Sequence, residues 1–105
     1  MPRGYEVELR EVKAARMKIP ERTRLVALDE HGEDLTTRRF AALLDRPTTF
    51  AIGGADGLDA ALKQRAALLL RLSSLTLPHA LAQVVLCEQL YRAATLRLGH
   101  PYHRE

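Results

Sequence analysis

Side chains that could do chemistry gather in the last third of the chain, around a proline-containing segment and a polar tail. His79 follows Pro78 directly, and the tail contains Tyr102, His103 and Arg104 in succession. Together the tail residues offer an aromatic ring, a group that titrates near neutral pH and a guanidinium that matches phosphate. These groups make the tail a candidate site. From the residues alone, a frayed terminus without a function is an open alternative.

The histidines and the single cysteine do not form a strong metal or nucleophile pattern. His100 and His103 give only an HxxH pair with His79 far away, and no matching cysteine or carboxylate pair completes a zinc site. We therefore expect no metal. Cys87 lies inside a helical pattern, where we expect a small buried core residue and not a reactive thiol. A lone cysteine excludes an intrachain disulfide and favours a reducing compartment.

A glycine-rich turn is the second candidate site. Gly53, Gly54 and Gly57 follow a β-rich run, Thr48 to Ile52, and precede a predicted helix from about Asp59 to Leu72. Glycine in such a turn lets the backbone approach a ligand closely and offers free N–H groups. The GGxxG spacing matches neither the dinucleotide fingerprint nor a phosphate-binding loop. On its own, the pattern favours a tight turn without a ligand.

Length and composition indicate one folded domain. The chain has 105 residues, of which 47% are hydrophobic and 28% charged, as in ordinary globular proteins. Its formal charge of +3 and pI near 9.4 permit a polyanionic partner without requiring one. No apolar run approaches membrane-spanning length, so we expect a cytoplasmic protein with no membrane partner.

The elements that must position these residues alternate between strand and helix. Tyr5 to Val12 favours a strand, although a helix through it is also possible. After a polar connector, Ala14 to Thr23, we predict a buried strand over Leu25 to Leu28 and a turn over Asp29 to Asp34. A helix capped by Thr36, with a Leu35–Phe40 staple, then runs to about Asp45, ahead of the β-rich run and helix described above. Such alternation predicts a parallel sheet with helices on its faces.

The closing stretch, Ser73 to Glu105, contains a long helix that is apolar on nearly every side. A helix of this kind has to be covered on more than one side, and so small a chain has little material for that purpose. We expect a second copy of the chain to cover it.

Four segments in this order resemble the ribosomal RNA large subunit methyltransferase H family, which belongs to the SPOUT class of S-adenosylmethionine-dependent enzymes. They are IGGADGL (52–58), SLTLPH (74–79), EQLYRA (88–93) and HPYHRE (100–105). Several motifs in register are far more specific than any one of them. The resemblance covers about the last 60 residues strongly and the strand over 25–29 more weakly.

This resemblance implies an α/β fold with a parallel sheet and a C-terminal trefoil knot, and a homodimer packed through the knot region. It also implies methylation of N3 of a pseudouridine in 23S rRNA within the ribosome. By motif position, S-adenosylmethionine would be bound by one set of residues: Leu28, Gly54, Ser73, Ser74, Leu75, Thr76, Leu77 and Pro78. The acceptor would be surrounded by a second set: His79, Tyr102, His103 and Arg104.

The opening of the chain departs from the family pattern. Members begin with a further strand and helix before the segment that corresponds to Tyr5 to Val12, and their connector is longer than Ala14 to Thr23. We therefore expect residues 1–105 to form a single, N-terminally shortened α/β-knot domain. The alternative is a truncated or degenerate knot dimer that binds the methyl donor or RNA without turnover.

Overall fold

The described part of the chain is built on a three-stranded sheet, and its middle strand is the first of the three in the sequence. The computed structural model describes residues 5–7, 18–53 and 57–99. In chain order its elements are β1 (Arg24–Glu33), α1 (Thr37–Ala42) with a 3-10 turn (Leu43–Asp45), β2 (Thr48–Ala51), α2 (Ala60–Arg65), β3 (Leu68–Leu70) and α3 (His79–Arg97). The strand order is β2-β1-β3 and both pairings are parallel. The predicted α/β class with a parallel sheet is confirmed.

β1 lies in the middle because it is apolar on both faces. Leu25, Val26 and Ala27 are only 6%, 0% and 0% exposed, although successive side chains of a strand point to opposite faces. Val26 is in register with Phe50 of β2 and Leu68 of β3. The predicted buried strand is therefore confirmed, and an unbroken apolar run is what a strand covered on both faces requires.

The main core lies between the sheet, α1 and α3. Phe40 of α1 and Leu86 and Leu90 of α3 are buried in one cluster with Val26 and Leu70 of the sheet. The helix that supplies Phe40 starts where it was predicted, since the Thr36 hydroxyl accepts a hydrogen bond from the Arg39 amide at 3.1 Å. Leu35, the other half of the predicted staple, packs against the same cluster.

The predicted helix from Asp59 to Leu72 is wrong in its second half. α2 ends at Arg65, Ala66 is extended, and Leu68–Leu70 form β3. The Ala67 amide donates to the Leu25 carbonyl at 2.8 Å, which starts the pairing with β1. A short apolar run fits a buried strand as well as a helix, and here the unpaired edge of β1 decides the outcome.

The predicted turn over Asp29 to Asp34 is also wrong, because β1 does not end at Leu28. Leu70 is paired with both Leu28 and Glu33, so the residues between them form an irregularity inside the strand. The Arg71 amide donates to the Glu33 carbonyl at 2.9 Å, which continues the pairing past the irregularity. Gly32 packs so tightly there that a Cβ would lie 2.6 Å from the backbone carbonyl of Leu69.

Cys87 was expected to be buried, and that expectation is wrong. It is exposed on α3, on a side of the helix that residues 5–7, 18–53 and 57–99 leave uncovered. The helix buries Ala82, Leu86 and Leu90, and no further element among the described residues covers its other side.

The chain ends were predicted in more detail than the structure describes. Tyr5 to Val7, the described part of the predicted strand Tyr5 to Val12, are not in a strand, and the rest of that segment lies outside the described residues. Lys18 to Thr23 are a connector, as predicted for the end of Ala14 to Thr23. The knot requires residues beyond Gly99, so it stays a prediction.

Candidate functional site

The predicted donor-binding segments meet at the carboxyl edge of the sheet. Leu28 ends the regular pairing of β1, Gly53 comes two residues after β2, and Ser73 comes three residues after β3. In parallel sheets, loops that leave the carboxyl ends of neighbouring strands form ligand crevices. Strand ends that are far apart in the sequence are brought to one edge here.

The loop from Ser73 to Pro78 connects β3 to α3 and is fastened by its own hydroxyl groups. The Ser73 Oγ accepts a hydrogen bond from the Leu75 amide at 3.0 Å, and the Thr76 hydroxyl donates to Glu30 Oε2 at 3.4 Å. Leu75, between these two contacts, is 74% exposed. The loop therefore presents an uncovered apolar side chain at the sheet edge.

The glycine turn is closed by a direct approach of its two ends. A Cβ at Gly53 would lie 2.5 Å from the Gly57 carbonyl carbon and 2.7 Å from the Leu58 nitrogen, closer than real Cβ contacts come. Gly57 has φ of 75°, which a side chain would disfavour. Both glycines are thus required by the backbone. Gly54, the member of the turn predicted to bind the donor, lies outside the described residues.

His79, the first residue of α3, links that helix to the glycine turn. Its Nδ1 lies 2.8 Å from the Gly53 carbonyl oxygen, and its Nε2 lies 3.2 Å from Nε2 of Gln83. A carbonyl oxygen can only accept, so Nδ1 carries the proton and the neutral Nε2 accepts from the Gln83 amide. Both ring nitrogens therefore have partners within the chain.

An acidic pair of residues behind the site was not predicted. Asp29 has a side chain that is only 13% exposed, and its Oδ1 lies 3.6 Å from Nζ of Lys63 on α2. Glu30, next to it, accepts from Thr76. Neither residue was predicted to lie near the site, because Asp29 to Asp34 were expected to form a turn; the strand instead runs on through Glu33.

Gln83 was also missed, although a local signal for it exists. It follows His79 by four residues, the spacing that places two side chains on one face of a helix. Gly53 had no such signal as a hydrogen-bond acceptor, because its contact with His79 spans 26 residues and depends on the tertiary fold.

The remaining predicted catalytic residues are not placed. Tyr102, His103 and Arg104 lie outside the described residues, so the structure does not bring them to His79 or separate them from it. Within residues 5–7, 18–53 and 57–99, no group of three or more His, Cys, Asp or Glu side chains is arranged to hold a metal ion. In the same part of the chain, no helix is long and apolar enough to cross a membrane.

A cavity of about 410 Å³ lies at the opposite edge of the sheet, near the amino ends of β1 and β3. Arg22, Arg24 and Arg65 are among the residues that line it. It shares no residue with the predicted donor-binding set, and it is therefore separate from the candidate site.

Comparison with known proteins connects this arrangement to a family. A family model described as "Predicted SPOUT methyltransferase" matches residues 3–103. The protein named ribosomal RNA large subunit methyltransferase H from Paraburkholderia phytofirmans is 48% identical over 129 residues, which covers 99% of this chain and 83% of the relative. That alignment is longer than the chain, so the relative contains internal residues without a counterpart here.

Two further relatives carry the same name. The protein from Polynucleobacter asymbioticus is 49% identical over 121 residues, covering 100% of this chain and 82% of its own length. The one from Polynucleobacter necessarius subsp. necessarius is 57% identical over 93 residues, covering 83% of this chain and 69% of its own length. A match over nearly the whole chain, at this level of identity, shows that the protein belongs to the SPOUT methyltransferase family, among the proteins named ribosomal RNA large subunit methyltransferase H.

Proposed function

We propose that this protein uses S-adenosylmethionine to methylate N3 of a pseudouridine in 23S rRNA of the large ribosomal subunit. The observation that carries the proposal is the convergence of Leu28, the glycine turn and the Ser73–Pro78 loop at one sheet edge, in a chain whose relatives are named for ribosomal RNA methylation. A ribosomal substrate would make the cytoplasm its place of action.

The residues at the sheet edge suit the methyl donor. Leu75 is exposed and Leu77 half-buried, which suits them to cover an adenine ring. Ser74 to Leu77 lie outside helices and strands, so their main-chain groups, other than the Leu75 amide that donates to Ser73, are not committed to a ladder and can bind the polar edge of the base. Because Gly53 has no side chain, the backbone of Gly57 and Leu58 can pack directly against it and close the turn. Leu28, Gly54 and the Ser73–Pro78 loop would hold the donor.

The chain's own contribution to the reaction would be orientation and proton removal. When bound, S-adenosylmethionine supplies an electrophilic methyl group. Holding the acceptor N3 in line with that group would account for much of the acceleration. We assign this task to the tail, where Arg104 holds a phosphate or a carbonyl oxygen and Tyr102 or His103 assists the loss of the N3 proton. His79 was predicted in the same set, but both of its ring nitrogens already have partners.

A homodimer is part of the proposal, formed through α3 and the knotted C-terminal region. Val84, Tyr91 and Leu98 are 63%, 47% and 53% exposed, and they follow one another at intervals of seven residues. Seven residues are close to two helical turns, so these side chains form one apolar stripe, with Cys87 beside it. A second copy of α3 would cover the stripe on both chains at once.

The test is methyl transfer to large ribosomal subunits that lack the modification, with nucleosides identified by mass spectrometry. We expect donor-dependent formation of a methylated pseudouridine. In single-turnover reactions, Arg104→Ala should lower the rate by about tenfold or more, since it removes a charged contact. Tyr102→Phe should show a smaller loss, because only the hydroxyl is removed.

Glu105→Gln serves as the matched control, since it changes a charge in the same tail outside the proposed set. Rates within about twofold of the parent for both Arg104→Ala and Tyr102→Phe would remove the tail from the mechanism. Donor binding without any methyl transfer would favour the alternative, a knot dimer that binds S-adenosylmethionine or RNA without turnover.

A further inference from the structure

The carboxyl edge of the sheet has two walls, and His79, which directly follows the second of them in the chain, makes a side-chain hydrogen bond to the first. One wall is the glycine turn after β2, and the other is the Ser73–Pro78 loop, which runs directly into α3. His79 is the first residue of α3, and its Nδ1 donates to the Gly53 carbonyl at 2.8 Å. Gly53 precedes Gly54, and His79 follows Pro78, so the bond joins two residues that are sequence neighbours of predicted donor-binding positions.

We infer that His79 is a positioning residue, which fixes the distance between the glycine turn and the Ser73–Pro78 loop and thereby shapes the donor crevice, and that it is not the base of the reaction. The inference rests on the proposed function, because it assigns a role within the proposed donor site. It departs from the expectation that His79 assists proton loss from the acceptor.

Both ring nitrogens argue against a base. A base needs a free lone pair directed at the proton that it removes. In His79 the Nδ1 proton is held by Gly53, and the Nε2 lone pair accepts from the Gln83 amide at 3.2 Å. Taking up a proton at Nε2 would replace the donor–acceptor contact with Gln83 by two facing donors unless the amide turned over.

Gln83 completes the positioning device by fixing the tautomer. It lies one helical turn further along α3, on the same face as His79. By donating to Nε2, it leaves the proton on Nδ1, the nitrogen that faces Gly53. This second contact orients the ring in the way that outer partners orient histidine ligands in other sites.

The hydrogen bond from His79 acts on a part of the glycine turn that is tightly packed. Gly53 is packed against the backbone of Gly57 and Leu58 so closely that a Cβ would lie within 2.8 Å of three backbone atoms. Moving Gly53 would therefore also displace the backbone of Gly57 and Leu58. A single hydrogen bond from α3 can thus act on both described ends of the glycine turn.

Two amide side chains separate the positioning role from a titrating role. In asparagine the amide nitrogen is bonded to Cγ, as Nδ1 is in histidine, so His79→Asn keeps a donor facing Gly53 and removes the titrating ring. In glutamine the amide nitrogen is one bond further out, as Nε2 is, so His79→Gln keeps a partner for Gln83 and loses the bond to Gly53. His79→Ala loses both.

The experiment measures the dissociation constant of S-adenosylmethionine by calorimetric titration, and the methylation rate at saturating donor from about pH 6 to 9, for the full chain and the three variants. We expect His79→Ala and His79→Gln to raise the dissociation constant by about three- to tenfold, as loss of one hydrogen bond would. His79→Asn should restore it to within about twofold of the parent. The His79→Ala and His79→Gln variants should lose donor affinity but keep the parent's methylation rate at saturating donor. The dependence of the His79→Asn rate on pH should parallel that of the parent.

Equal donor affinity in the parent and in His79→Ala would overturn the inference. So would a His79→Asn variant that binds donor with normal affinity but has a lowered methylation rate and lacks the low-pH limb of the parent's pH–rate profile. A parent chain that binds no donor would instead refute the proposed function. In that case nitrogen-15 spectra of the imidazole at alkaline pH, assigned through the signal lost in His79→Asn, still decide the matter. A ring protonated on Nδ1 is expected, and one protonated on Nε2 would contradict the role assigned to Gly53.

Discussion

Arg71 and Asp34 form an ion pair where β3 gives way to the Ser73–Pro78 loop. Arg71 Nε donates to Asp34 Oδ1 at 2.7 Å, and its Nη2 donates to the other carboxylate oxygen. The hydrogen bond from Arg71 holds the pKa of Asp34 below its ordinary value. The same bond raises the pKa of Arg71. The pair therefore links Asp34, which follows β1, to Arg71, which lies between β3 and the Ser73–Pro78 loop.

This pair makes a prediction about pH. Because the pKa of Asp34 is lowered by folding, its contribution to stability is present above the ordinary aspartate range and is lost as the pH falls through the lowered value. The parent should be more stable than Asp34→Asn near neutral pH, by a small margin because the pair is exposed. The margin should shrink as the pH falls below about 4. Urea unfolding of both proteins across this range measures it.

Arg71→Ala provides the control, since Asp34→Asn made in that background should lack the pH-dependent difference. A parent–variant difference that stays constant from neutral pH to about pH 3 would show that the ion pair does not contribute in this way.

Single residues of the site differ in how far the sequence could predict them. The Ser73–Pro78 loop and His79 were placed by motif, and they lie where strands end and a helix begins. The partners of His79 were not predicted, because the contact with Gly53 depends on which strand ends reach the start of α3. Cys87 was mispredicted for the same kind of reason, since a helical pattern shows which residues share a face and not which faces are covered.

Among the elements, those with local signals were predicted best. Thr36 caps α1 through its side chain, and Pro78 ends the loop before α3, so both starts could be read from nearby residues. The boundary between α2 and β3 had no such signal, because Ala66 to Leu70 is apolar throughout. Pairing with β1 determines that Leu68–Leu70 form a strand and not a helix, and this pairing is a tertiary effect.

α3 carries the element-scale prediction. If its exposed stripe is the contact between two copies, Val84→Glu places a charge in an apolar interface, where an unpaired charge is costly. We expect the parent to be a dimer and Val84→Glu to be a monomer, as measured by size-exclusion chromatography with light scattering. Circular dichroism checks that the variant is folded.

Ala61→Glu is the matched control, because it adds the same charge at an exposed position of α2. It should remain a dimer. A monomeric parent, or a Val84→Glu variant that stays dimeric at the same concentration, would show that the stripe is not the proposed contact.

At the scale of the whole molecule, the strand order explains why the site lies where it does. β1 is central, so the ends of β2 and β3 lie on either side of it, and their two loops both reach α3 or its start. Alternation of strands and helices was sufficient to predict a parallel sheet. The strand order was not predictable in that way, because it depends on the directions of the crossovers and not on any local pattern.

The central claim is that this sheet edge binds S-adenosylmethionine, and isothermal titration of the donor into the full chain tests it most directly. We expect saturable binding of one donor molecule per chain, in competition with S-adenosylhomocysteine. Absence of binding up to about 1 mM donor, where an interaction would be worth only about 4 kcal/mol, would contradict the claim.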